Sequence, residues 1–473
     1  MSTDGHGRRR LDRLTAVDAS FLSNEGSASH MHIGAVLIFE GPPPRYVDLV
    51  EHIRGRLPHV PRFRQKLVVP PLEAGRPLWA DDVNFNLSYH IRHTALPEPG
   101  GEAQLKRLCG RVFSQQLDRS KPLWELWLVQ GLENDRFAIL TKTHHAMVDG
   151  ISGVDIGTVL FELEPMHEPV EVADDWVPEP EPGTTELVAR GISDAVATPV
   201  KLAERAIEAV RHPDHAAKRA VEALEGLSEI VGAFANPAPD VPLNHPIGPH
   251  RRYVWTRSDL STFKRIKDAL GGTVNDVVLA VVTGSLRRWL QDRGVRTEGL
   301  ELRALVPVSI RTEDERGEPG NRIALMRGPL PVYVEDPVRR LHTISEEMAD
   351  LKRSKQALGA EVISRFNDFA PPTLLAQASR INFSTRLFNL IVTNVPGPQI
   401  PLYVLGRELQ DVFPIAFLPE NHALAVAIMS YHGKVGFGLL ADYDSMEDVE
   451  VLGDGIGEAL AELEAAAIEA AAA

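Results

Sequence analysis

The sequence predicts an α+β fold of two sandwich domains with mixed sheets, joined by a helical linker. Three observations lead there. The chain has 473 residues, and single cores stop growing at about 250–300 residues. A stretch rich in proline and acids interrupts the middle of the chain. On both sides of that stretch strand-like and helix-like runs are mixed, a pattern that calls for helices packed on sheets in each half. The expected divisions are an N-terminal domain over 1–164, a linker over 165–249 and a C-terminal domain over 250–473.

The elements follow in order. Val36-Leu37-Ile38-Phe39 reads as a strand. Leu126 to Gln130 and Phe137 to Thr143 flank Glu133-Asn134-Asp135, and turn residues between two short apolar runs predict a hairpin. Prolines 165, 169, 178, 180 and 182 open the linker, in which Glu186 to Ala235 has the spacing of an alanine-rich amphipathic helix. Leu187, Val188, Ile192, Val196 and Val200 align on one side of it, a stripe suited to packing on the domains or to resting on a lipid surface. The second half predicts a strand at Arg252 to Trp255, then helices Leu260 to Leu270 and Asn275 to Trp289. A strand at Leu302 to Val308 and a helix at Asp336 to Leu358 come next. Strands then dominate, at Leu387 to Val392, Ala423 to Ser430 and Lys434 to Leu440, before a terminal helix from about Met446.

Composition narrows the function. A 44% hydrophobic and 24% charged chain is that of a globular protein able to bury sizeable cores. The net charge of −15 repels phosphate backbones, so nucleic acid is excluded as a partner. Arg8-Arg9-Arg10 is read as a solvated tail. No run reaches the roughly 18 apolar residues of a spanning helix, and no apolar leader precedes the first domain, so a cytoplasmic location is expected. Cys109 is the single cysteine, which excludes an internal disulfide and a cysteine-paired zinc site; it falls in a helical pattern and reads as packing.

One heptapeptide concentrates the chemistry: His144-His145-Ala146-Met147-Val148-Asp149-Gly150. Successive strand residues point to opposite faces, so His145 shares a face with Thr141 and Thr143 while His144 faces the other way. That parity argues against metal binding, which needs convergent ligands. An imidazole at a strand end, beside a cleft, is placed to act as a general base. The plainer alternative makes both histidines structural and Asp149 a helix cap.

The heptapeptide resembles the His-His-x-x-x-Asp-Gly signature of the chloramphenicol acetyltransferase-like, CoA-dependent acyltransferases, a superfamily that includes peptide-synthetase condensation domains. Further segments resemble the bacterial wax ester synthase/diacylglycerol acyltransferase family in particular. They are Val17-Asp18-Ala19-Ser20-Phe21-Leu22, His30-Met31-His32-Ile33-Gly34, Pro122-Leu123-Trp124, Asn275-Asp276, Pro307-Val308-Ser309-Ile310-Arg311 and Asn394-Val395-Pro396-Gly397-Pro398. Each alone has a structural reading: a buried strand start at Trp124, a helix cap at Asn275-Asp276, a turn at Asn394. Their joint order carries the resemblance.

The resemblance implies two chloramphenicol acetyltransferase-like domains meeting at a tunnel. His145 would be the general base, with His144 and Gly150 completing the motif. Asp149 would be structural, turned away from the cleft to pair with Arg311. Pro122, Leu123, Trp124, Asn275, Asp276 and Asn394 would bind substrate, with Asn275 as candidate oxyanion donor. Acyl-CoA would be a co-substrate, with no other cofactor and no metal. The acceptor would be diacylglycerol or a long-chain alcohol, reached through peripheral contact with a membrane or lipid droplet. Two alternatives remain: a lipid-binding scaffold that has kept the fold, and a condensation enzyme.

Overall fold

The computed structural model describes residues 12–71, 76–147, 156–165, 176–187, 236–309, 323–353 and 383–472. The N-terminal part carries α1 (Ala16–Asn24), β1 (His32–Phe39), α2 (Tyr46–Arg56), β2 (Gln65–Val68), β3 (Leu78–Asp81), α3 (Leu87–His90), β4 (Ile91–Ala95), α4 (Glu102–Phe113), β5 (Trp124–Gln130), β6 (Phe137–His144) and α5 (Ile156–Leu160). The C-terminal part carries β7 (Arg251–Asp259), α6 (Leu260–Leu270), α7 (Val274–Asp292), β8 (Leu302–Ser309), β9 (Ile323–Leu330), α8 (Pro337–Arg353), β10 (Leu390–Pro396), β11 (Tyr403–Val404), β12 (Arg407–Ile415), β13 (Leu424–Tyr431), β14 (Lys434–Asp442) and α9 (Val449–Ala472).

Two six-stranded mixed sheets organise these elements, in the orders β11-β12-β1-β6-β5-β4 and β7-β14-β13-β10-β8-β9. The predicted α+β class with mixed sheets is what the chain adopts. The hairpin read from the turn residues is β5–β6, paired antiparallel from Trp124↔Thr143 to Val129↔Ala138. Its connection places Asn134 and Asp135 at φ 62° and 57°, a left-handed conformation that these two residue types tolerate. The first sheet takes β11 and β12 from the second half of the chain, and β12 covers the edge that β1 would otherwise expose.

Packing across the two halves is equally close. The largest apolar cluster runs from Phe21, Val36 and Leu140 through Tyr253 and Trp255 to Val281, Phe437 and Leu463. A Cβ added at Gly110 of α4 would lie 2.6 Å from the carbonyl oxygen of Arg251, so helix and strand touch through backbone. Trp255 donates its indole N–H to Glu102 at 3.0 Å on the same seam. On the second sheet α7 and α9 pack against each other, and α9 also covers β7.

Of the linker helix, Leu187 is described and is buried against Val68, Leu78 and Ala80. The rest of that stripe lies outside the described residues. Among the described residues no single helix is long and apolar enough to cross a membrane.

Candidate active site

β6 ends at His144, and the chain passes at once into a tight turn over His145–Met147. Two backbone bonds hold the transition from opposite sides. The N–H of His144 donates to Leu123 at 3.0 Å and that of His145 to Met31 at 2.8 Å, tying the pair to the start of β5 and the approach to β1. The alternation of strand side chains then separates the two imidazoles.

The side chain of His144 is fully buried. Its Nδ1 accepts from the Ala146 N–H at 3.0 Å, and its Nε2 lies 3.5 Å from Oε2 of Glu25. Because Nδ1 serves as an acceptor, the proton of the neutral ring belongs on Nε2, facing the carboxylate. The other oxygen of Glu25 is 3.5 Å from Nε2 of His32, and Arg119 donates from Nε to Oε2 at 2.7 Å. Burial acts to raise the pKa of this carboxyl. The 3.5 Å contacts with His144 and His32 and the charge of Arg119 outweigh that effect and hold it well below the usual carboxylate range. Burial drives His32 the other way, well below an ordinary imidazole, so its ring is neutral.

The ring of His145 lies among aromatic side chains; the residue as a whole is partly exposed, but its Nδ1 is buried. It stacks on Phe21 with centroids 4.0 Å apart, and Phe417 meets it edge-on at 5.6 Å. Phe383 closes the group, 6.3 Å from Phe21 and 5.8 Å from Phe417. Its Nδ1 has no hydrogen-bond partner among the described residues. Removal from water, and secondarily the neighbouring His144, pushes its pKa down to about 4. At neutral pH the ring is uncharged and its lone pair is available to a proton donor.

The other predicted residues fall into three groups. Leu123 and Trp124 have their side chains in the N-terminal core, where the Trp124 indole donates to Phe63 at 2.8 Å and its ring stacks on His90. Pro122 is buried beside them. This segment meets the histidines through the backbone bond of Leu123, not through the tryptophan ring. Asn275 and Asn394 are brought together: the amide nitrogen of Asn394 donates to Oδ1 of Asn275 at 3.3 Å, which joins the first turn of α7 to β10. Asp276, next to Asn275, is a capping residue. Its carboxylate accepts from the Thr273 N–H at 2.8 Å while the Thr273 hydroxyl accepts from its own N–H. Asp149, Gly150 and Arg311 lie outside the described residues, and with them the expected ion pair.

Glu25, Phe21 and Phe417 are the site residues that sequence reasoning passed over. Phe21 stood inside a quoted segment, but nothing in its spacing points at His145. Glu25 follows the last turn of α1, in extended backbone (φ −73°, ψ 126°), between two quoted segments.

Comparison with known proteins accounts for most of the chain. The wax ester synthase/diacylglycerol acyltransferase catalytic domain matches residues 14–278, and the C-terminal domain of the same family matches residues 319–464. The probable diacylglycerol O-acyltransferase tgs1 of Mycobacterium tuberculosis is 34% identical over 96% of this chain and 96% of its own length. Among solved structures, the wax ester synthase/diacylglycerol acyltransferase of Marinobacter aquaeolei VT8 superposes with a TM-score of 0.66 at 26% identity, covering 96% of this chain and all of that one. The first condensation domain of the calcium-dependent antibiotic synthetase shares the fold, with a TM-score of 0.56 at 17% identity over 97% of both chains. The chain therefore belongs to the wax ester synthase/diacylglycerol acyltransferase family of acyl-CoA-dependent acyltransferases.

Proposed function

We propose that this chain transfers a long-chain fatty acyl group from acyl-CoA to the free hydroxyl of diacylglycerol, giving triacylglycerol, with long-chain alcohols as a second acceptor class. His145 is the general base. The acceptor oxygen attacks the thioester carbonyl as the imidazole takes its proton. The tetrahedral oxyanion then collapses, the carbon–sulfur bond breaks, and the imidazolium returns the proton to the departing thiolate. No covalent acyl-enzyme forms.

The observation that carries this reading is the state of the His145 ring: uncharged at neutral pH, with an Nδ1 unpartnered among the described residues, and packed between phenylalanines that suit a hydrocarbon chain. A lowered pKa weakens a base but leaves it wholly unprotonated, and it makes the conjugate acid a ready donor to a thiolate whose ordinary pKa is about 8.5. Asn275, whose orientation is fixed by the Asn394 amide, is the proposed oxyanion donor.

Acyl-CoA places the reaction in the cytoplasm, and an acceptor dissolved in lipid requires the chain to touch a membrane or droplet surface. Val395 and Ile400, both about half exposed on either side of Gly397, are apolar side chains available for that contact.

The test is turnover by purified protein of labelled oleoyl-CoA and diacylglycerol. Product is expected from the wild type, and His145→Ala should lower kcat by roughly 10²- to 10⁴-fold, the usual worth of a positioned base. Binding of lipid without product would favour the scaffold reading; equal turnover by the alanine variant would remove His145 from the mechanism. A panel of acceptors with one acyl-CoA ranks diacylglycerol against simple alcohols.

A further inference from the structure

We propose that Glu25 is a positioning residue for acyl transfer, acting through His144 to aim His145; the proposal rests on His145 being the base. α1 reaches both histidines of the motif. Phe21 on its last turns stacks on His145 at 4.0 Å, and Glu25, just past its end, stands 3.5 Å from Nε2 of His144. From there the path is short. Nδ1 of His144 accepts the N–H of Ala146 at 3.0 Å, and Ala146 is the residue after His145 in the turn that carries the base.

An acceptor at Glu25 has a definite job in that path. Its charge, 3.5 Å from Nε2 and without a formed hydrogen bond, favours the His144 proton on that nitrogen, which leaves Nδ1 bare to receive the Ala146 N–H. Without it the ring can carry its proton on Nδ1 instead, where two N–H groups would face each other across 3.0 Å. The turn must then relax, and the His145 ring with it. Pairing with Arg119 does not explain the arrangement by itself. Arg119 is half exposed and could meet a surface carboxylate, whereas the Glu25 side chain is 3% exposed and carries the cost of losing its water. Arg119 donates to the oxygen that also faces His144, while the other oxygen lies 3.5 Å from Nε2 of His32, which itself accepts the Leu117 N–H at 3.4 Å.

The experiment compares Glu25→Ala, Glu25→Gln and His145→Ala in the full chain, reading kcat, KM for oleoyl-CoA and thermal melting. Glu25→Ala should lose roughly 10- to 100-fold in kcat, by analogy with the loss when the partner that orients a metal-bound imidazole is removed, with KM unchanged. Glu25→Gln should recover most of that loss, because its carbonyl oxygen keeps an acceptor facing Nε2. A folded Glu25→Ala variant at wild-type kcat, or a Gln variant as slow as the Ala variant, overturns the proposal. If the Ala variant does not fold, the Gln variant decides: a rate near wild type supports positioning, and a rate as low as that of His145→Ala refutes it. Inactivity of His145→Ala beside full activity of Glu25→Ala removes Glu25 alone, whereas activity in His145→Ala removes the base assignment and this proposal together.

Discussion

At the scale of single residues, the two adjacent histidines show how one backbone step divides labour. His144 is fully buried and faces a carboxylate, while His145 faces rings and keeps a buried Nδ1 without a partner among the described residues. The environment of His145 sets a testable pH dependence. Its pKa is lowered from 6.5 to about 4; with His145 as the proposed base, which must be unprotonated, activity is expected above that value and lost as pH falls through it. The expected profile of kcat/KM is flat between pH 8 and 6, where an unperturbed imidazole would already have lost about half its base form near pH 6.5. Initial rates across a pH series check this; a midpoint near 6.5 would mean that the ring is solvated during turnover. The opposite facing of His144 and His145 at the end of β6 was legible in the sequence because strand parity is a rule of adjacent positions. Glu25 was not, because a carboxylate after a helix end looks like any other and only the fold brings it to β6.

At the scale of elements, the same contrast between local and distant information holds. Helix α6 runs over Leu260–Leu270 as the spacing predicts, and the β5–β6 hairpin follows from its turn residues. The long predicted helix from Asp336 is α8, Pro337–Arg353, with the remainder outside the described residues. Strand β12 escaped notice because its sequence, Arg-Glu-Leu-Gln-Asp-Val-Phe-Pro-Ile, lacks clean alternation and contains Pro414, a residue that argues against a central strand. Its place depends on partners far away: β1 in one sheet and, across the gap between sheets, the glycines of β14. A Cβ at Gly438 would sit 1.9 Å from the carbonyl oxygen of Pro414 and 2.5 Å from the Tyr253 hydroxyl. That hydroxyl itself donates to Phe413 and Pro414, at 3.1 and 3.0 Å. Gly438→Ala is therefore expected to cost about 1–3 kcal/mol of stability, the usual toll of overpacking. Thermal or urea denaturation reads it, and an unchanged midpoint would show that the sheets can separate freely.

At the scale of the whole molecule, two halves are distinct in sequence but not in space. The core cluster that holds Val36 and Leu140 also holds Trp255 and Phe437, and the first sheet is finished by β12 from beyond residue 400. Residues 1–249 produced alone should therefore be insoluble, because β1 would present an open edge and an uncovered apolar face. Production of 1–249 together with 250–473 should restore soluble protein, and co-purification of a tagged half measures it. A soluble, well-melting N-terminal piece would contradict this interleaving. The borrowed strand also sets a timetable for synthesis. β6 ends at His144, yet the strand that flanks its neighbour β1 begins at Arg407. At roughly 5–20 residues per second, the ribosome needs on the order of ten to fifty seconds to bridge that distance. Throughout that delay the nascent chain carries an unfinished sheet, so a holdase that shields emerging β1 should decide how much active enzyme a cell obtains.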